Sequence, residues 1–195
     1  MRNVAIDAYH FVGMRGGSGG SGSYLLALIE HLARLTEVRI IASRHNAHLF
    51  GALAQREKHL SVRAGSQAHA EAVRDGIDGA DILYAPFTSL PCADIAPRIP
   101  SVIAIHDLQH RFLKGCFPAS ERVARDDDYF AAASSADGII TFSETEQKNI
   151  ADIYDVKVAV SAIPHAPFLV EEVTRDLKDP RIPAARNPYV KRFGR

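Results

Sequence analysis

In this 195-residue sequence the polar pair His106-Asp107 closes the apolar run "SVIAI". A strand that ends this way turns its last side chains out of the core and toward solvent or ligand. Imidazole is the side chain whose ordinary titration lies nearest neutral pH, so His106 is a candidate for hydrogen-bonding or proton chemistry, with Asp107 beside it. A histidine at a strand end is also a common structural group, and both readings stay open here. The second chemical feature is "GGSGGSG", Gly16 to Gly22, which runs straight into a helical pattern. Gly17, Gly19 and Gly22 fit G-x-G-x-x-G, and Gly16 and Gly20 extend the exposed backbone. The N–H groups of such a loop, with a helix N-terminus behind them, suit a phosphate.

The glycine match is weak as a dinucleotide fingerprint, which places its first glycine directly after the strand. Here "YHFVGMRGG" intervenes, and the next strand ends in Ser43 and Arg44 rather than in a ribose-binding acid. Arg44 suits a 2′-phosphate, which keeps an NADP-dependent oxidoreductase as a lesser alternative. A Walker loop is excluded because no Gly-Lys-Ser/Thr follows. Gly/Ser repeats also make flexible connectors, so the sequence leaves cradle and connector both standing.

Composition narrows the partners. Lys plus Arg and Asp plus Glu each number 23, so no net field draws in nucleic acid or an anionic membrane, and any anion site must be local. Cys92 and Cys116 are the only cysteines and form no metal-type pair, and the first residues lack the apolar core of a signal peptide. The expectation is a cytoplasmic protein. No apolar run approaches the ~18 residues that span a bilayer, so membrane contact would be peripheral, at the inner face. His106, His110 and His165 have no metal-ligand spacing, and His110 and His165 read as loop residues; neither metal nor cofactor is expected. Asp126, Asp127 and Asp128 read as a solvated helix face.

The elements that position these residues alternate along the chain. "NVAIDA", "VRIIAS", "LSVRA", "DILYAP", "SVIAIHD", "GIITF" and "VKVAVSAI" read as strands. Between them lie helical patterns, the first marked by Leu25, Leu26, Leu28, Ile29, Leu32 and Leu35, the last opened by the capping box Ser143-Glu144-Thr145-Glu146. Apolar strands alternating with helices predict a doubly wound α/β domain, Rossmann-like, with a parallel sheet. That domain is expected over residues 1–173, with 174–195 a linker or tail. Ligands bind such sheets at the carboxyl ends of the strands. This edge collects the Gly-rich loop, "PFTSLP" with Phe87, His106-Asp107, Ser143-Glu144, and "PHAPF" with His165, which makes Phe87, Asp107, Ser143, Glu144 and His165 crevice candidates.

The succession "IDAYHF", the Gly-rich loop leading to "GSYLLALIEHLARL", "ADILYAPFTSLP", "IPSVIAIHDLQHRFLKGCFP", "ADGIITFSETEQKNIADIYDV" and "VSAIPHAP" resembles the N-terminal domain of GT-B glycosyltransferases. The likeness is to the large retaining family that includes bacterial mannosyl- and sucrose-type transferases. It spans Val4 to Phe168 and is most specific at "IHDL" and "SETEQKNIADIY". The resemblance implies two Rossmann-like domains closing over a nucleotide-sugar donor, with a glycan or lipid-linked acceptor held mainly by the N-terminal one. It places Gly16 to Gly22 near the donor diphosphate and His106 at the transferred sugar, where it would hydrogen-bond a hydroxyl and support developing oxocarbenium charge. Retention would come from attack on the leaving-group face, the departing phosphate taking the acceptor proton, so no carboxylate pair is required.

The resemblance also implies a C-terminal GT-B domain that holds the nucleotide, in the same gene or in a separate chain, and poor transfer by these residues alone. The biological setting it implies is assembly of a bacterial surface polysaccharide or another glycoconjugate. The alternative from another class is a non-catalytic α/β module that binds a nucleotide or sugar phosphate.

Overall fold

Runs of Val, Ile, Leu and Ala too short for helices become the strands of one parallel sheet, the inner strands buried on both faces and the two edge strands partly exposed. The computed structural model describes residues 2–12, 19–65, 68–88 and 99–164. The strands are β1 (Asn3–Asp7), β2 (Glu37–Ala42), β3 (Leu60–Ala64), β4 (Ile82–Ala85), β5 (Ser101–Ala104), β6 (Gly138–Thr141) and β7 (Ala159–Ala162). The helices are α1 (Gly19–Leu32), α2 (Gly51–Arg56), α3 (His69–Gly76), α4 (Gln109–Phe112), α5 (Ala119–Ser135) and α6 (Glu144–Tyr154). The seven strands stand in the order β3-β2-β1-β4-β5-β6-β7 and every pair is parallel, which is the expected doubly wound, Rossmann-like arrangement. The described residues belong to a compact unit ending at Pro164. The domain boundary expected at 173, the tail beyond it, His165, Gly16 and Gly17 lie outside the described residues.

Alternation along each strand divides the core. Ile6, Ala8, Val38, Ile40, Tyr84 and Ala104 pack on one face with Leu25 and Ile29 of α1 and Leu53 of α2. Ala5, Ile41 and Leu83 pack on the other with Ala72, Val73 and Ile77, around α3. Ile103, Ile105 and Ile139 continue that second face against α5 and α6, through Ala132, Ala133 and Ile150. The chain thus winds outward from β1 to β3 under α1 and α2, returns over the opposite face through α3, and restarts at β4 on the other side of β1. The crevice between β1 and β4 is the topological switch point, where open α/β sheets bind ligands.

Two glycines let α3 lie close to the sheet. A Cβ on Gly65 would stand 2.1 Å from the Ala72 Cβ and 2.8 Å from its Cα, and one on Gly76 would stand 2.5 Å from the Ile41 side chain. One element begins earlier than the sequence pattern indicates. Helix α1 starts at Gly19, so Gly19, Gly20 and Gly22 are helical rather than part of a loop ending near Ser23. Glycine costs about 1 kcal/mol per helical position against alanine, but the buried Leu25 and Ile29 anchor the helix and the extra turn satisfies backbone that would otherwise need other partners.

Gly65→Ala should lower unfolding free energy by about 3 kcal/mol, because the clash is with backbone and a short side chain that cannot swing away. Gly51→Ala, at helical dihedrals (φ −59, ψ −46) with open space around it, should instead raise stability by ~0.5 kcal/mol. Urea midpoints of the two variants check the contrast, and equal shifts would contradict the packing described for α3.

Candidate functional site

The rim at the carboxyl ends of the strands is held by side chains that bind the exits of neighbouring strands together. Asn46, buried in the turn after β2, donates from Nδ2 toward the carbonyls of Ala8 (2.9 Å), Tyr9 (3.0 Å) and Phe11 (2.7 Å). The chain leaving β1 is therefore bound down through Phe11, whose ring meets Phe50 at 5.3 Å and lies parallel to Phe87 at 6.4 Å. At the exit of β4, Thr88 adopts a left-handed backbone (φ 57), an uncommon and strained conformation for a β-branched residue. Its hydroxyl donates to the Ala104 carbonyl at 2.6 Å, which ties the β4 exit to the end of β5.

His106 makes the second tie between those exits. Its Nε2 donates to the Pro86 carbonyl at 2.7 Å. A carbonyl only accepts, so Nε2 carries the proton and Nδ1 keeps the lone pair. Two aromatic residues meet the ring, and a third is hydrogen-bonded to one of them. Tyr24 of α1 stands edge-on at 5.5 Å, and Phe142, directly after β6, lies at 4.7 Å and meets Tyr24 at 5.0 Å. The Tyr24 and Tyr84 hydroxyls share a 2.5 Å hydrogen bond. Burial lowers the His106 pKa from its ordinary value, against weaker opposing pulls from the Pro86 carbonyl and Asp107. Burial also pushes both tyrosines up, with a weaker opposing pull on Tyr24 from its bond to Tyr84. The result is a neutral, oriented imidazole in an aromatic surround, suited to accept a hydrogen bond at Nδ1.

The other candidates divide. Asp107 Oδ1 accepts the Gln109 N–H at 3.0 Å and so opens α4. Phe87 is half-buried against Phe11 beside the His106 acceptor Pro86. Ser143 caps α6, its hydroxyl accepting the Glu146 N–H at 3.1 Å, and Glu144 is exposed in the first turn, where a carboxylate favours the helix dipole. Glu146 does not complete a capping box. Its Oε2 is buried without a hydrogen-bond partner, and burial together with the charge of Asp107 pushes its pKa up, against weaker opposing pulls from Asn149 and the Leu108 backbone. Gly19, Gly20 and Gly22 lie in the opening turns of α1, ahead of Tyr24 in the same helix.

Two sequence readings are overturned. His110 is 1% exposed rather than a solvated loop residue, and Asp126 is no part of a purely solvated face. Asp126 Oδ1 accepts from His110 Nε2 (2.8 Å), Arg111 Nε (2.6 Å) and the Tyr154 hydroxyl (3.2 Å), joining α4, α5 and α6. These bonds and the Arg111 charge hold Asp126 below the ordinary carboxylate range although burial opposes them. Sequence reasoning missed Tyr24, Tyr84, Phe142 and Asn46. Phe142 was within reach, since it directly precedes Ser143 at the end of a strand whose exit was already a candidate. Asn46 carried no such signal, because its partners lie on another strand exit.

Among the described residues, no group of His, Cys, Asp and Glu is arranged to hold a metal ion, and no helix is long and apolar enough to cross a membrane. Comparison with models of known protein families and with curated proteins finds no match to this sequence.

Because the His106 pKa is lower in the folded chain than its ordinary 6.5, the unfolded chain binds the proton more readily. The stability this residue contributes is complete above 6.5 and is lost as pH falls through the lowered value. Between about pH 7.5 and about pH 5 the melting temperature should fall further for the wild type than for His106→Gln, which keeps an N–H for the Pro86 carbonyl and does not titrate. His10, also lowered by burial, contributes equally to both proteins and cancels in the comparison. Parallel melting curves across that range would contradict the burial assigned to His106.

Proposed function

We propose that this domain is the acceptor-side half of a retaining glycosyltransferase of the GT-B type, moving a sugar from a nucleotide-sugar donor to a glycan or lipid-linked acceptor. One arrangement supports the reading above the others. A neutral imidazole with its lone pair fixed on Nδ1 stands in an aromatic surround on the ligand edge of a parallel sheet, at the position of the "IHDL" resemblance. In this role His106 accepts a hydrogen bond from a hydroxyl of the transferred sugar and orients it. A neutral ring also avoids placing a positive charge beside the positive charge that develops as the glycosidic bond breaks. The acceptor oxygen bonds the anomeric carbon, the nucleoside diphosphate leaves with the bonding pair, and its phosphate oxygen takes the acceptor proton. The helix α1 N-terminus, with the glycines leading into it, faces the donor phosphates in the same scheme. The nucleotide is held by the second domain of the architecture.

The test supplies this chain with a nucleotide-binding GT-B half and a nucleotide sugar. His106→Ala should lower kcat by about 10²-fold while circular dichroism shows an intact fold, and product NMR should show the donor's anomeric configuration retained. A folded variant with near-normal kcat would return His106 to a structural role. Full-rate transfer by the chain without a second domain would contradict the division of labour.

A further inference from the structure

On the sheet face opposite His106, three ionisable side chains form a hydrogen-bonded row at the rim end of β1. Asp7, the last residue of β1, is 3% exposed. Its Oδ1 accepts the Tyr9 N–H at 3.1 Å, and its Oδ2 accepts His69 Nε2 at 2.7 Å. His69 opens α3, and its Nδ1 lies 3.2 Å from Nε2 of the exposed His10. Tyr9 packs on both rings, at 4.9 Å from His69 and 5.2 Å from His10.

The buried end fixes the direction of the row. A carboxylate accepts only, so His69 donates from Nε2 and holds its lone pair on Nδ1. That lone pair then takes the Nε2 proton of His10, which leaves His10 Nδ1 as an acceptor at the exposed end. Partial burial of its ring first, and then the neighbouring His69, lower the His10 pKa against the opposing pull of Asp7. Of the charged groups near the row, Glu71 is exposed in the first turn of α3.

We propose that Asp7, His69 and His10 form a hydroxyl-binding site at the switch-point end of β1, with His10 Nδ1 as the accepting atom. The ligand class is a sugar or simpler polyol, recognised by a hydroxyl that donates. A phosphate is disfavoured, because the row ends in the Asp7 carboxylate and presents a lone pair rather than a proton at His10 Nδ1. The assignment does not rest on the glycosyl-transfer reading, since binding here needs neither donor nor turnover.

The test uses Asp7→Asn. The amide oxygen has the Tyr9 N–H to accept, which turns the amide nitrogen, a donor, toward His69. His69 must then accept on Nε2 and donate from Nδ1, and His10 must accept on Nε2 and carry its proton on Nδ1. Diethyl pyrocarbonate acylates imidazole nitrogens that hold a lone pair, and peptide mass mapping reads the rate at each histidine. Asp7→Asn should slow acylation of His10 by about tenfold while leaving the exposed His48 unchanged, as expected of an imidazole locked in the wrong tautomer. In the wild-type chain, long-range nitrogen–proton NMR should find the His69 proton on Nε2, a readout that needs no variant to fold. Excess methyl α-D-mannopyranoside or glycerol should protect His10 and not His48. A His69 proton on Nδ1, a His10 rate within about twofold of wild type in Asp7→Asn, or protection by neither probe would each overturn the assignment.

Discussion

Parallel pairing is the constraint from which the rest follows. Strands that all run one way cannot be joined by tight turns, so every link is a crossover that must lie on one face of the sheet. With both faces covered, the middles of the inner strands have no polar side to present, which is why residues 4–6, 40–42 and 102–105 are unbroken apolar runs. All strand exits then fall on one rim, and polar residues gather there because it is where the backbone leaves the core. The path from β3 back to β4 crosses to the opposite face and opens the crevice beside β1.

The rim residues are held by bonds between exits, and this separates a site from a set of loops. Asn46 joins the β2 exit to that of β1, and Thr88 and His106 join those of β4 and β5. Most of these contacts use side chains to satisfy carbonyls that the sheet ladder has ceased to satisfy. The strain at Thr88 is tolerated because its hydroxyl has a buried acceptor in reach. His106 gains its orientation from the same bonding, so a group suited to ligand recognition is also part of what keeps the rim in place.

What could be read in advance was local or periodic. Ile6, Ile40, Ile103 and Ile139 lie in short apolar runs, and their burial follows from the runs themselves. Ser143 was legible as a cap because its partner, Glu146, is three residues away. His110 was not, because its burial depends on Asp126 and Tyr129, which belong to another helix. Asp126 looks identical to Asp127 and Asp128 in the sequence, and only the packing of α4 and α6 against α5 tells them apart. The pairing of Asp7 with His69, 62 residues apart, was invisible for the same reason. The start of α1 was misplaced because glycine's local preference was weighed without the anchor supplied by Leu25 and Ile29.

Ile6 and Asp7 are neighbours in β1, yet the pleat sends Ile6 toward α1 and Asp7 toward α3. The His106 surround therefore belongs to one side of the backbone layer and the Asp7 row to the other, and no hydrogen bond described in either is shared. A single thickness of strand insulates two polar clusters that open on a common rim. Substitutions in one cluster then carry little epistasis with those in the other, since coupling between residues runs through shared partners. A domain of this construction can change what it recognises on one face without renegotiating the other.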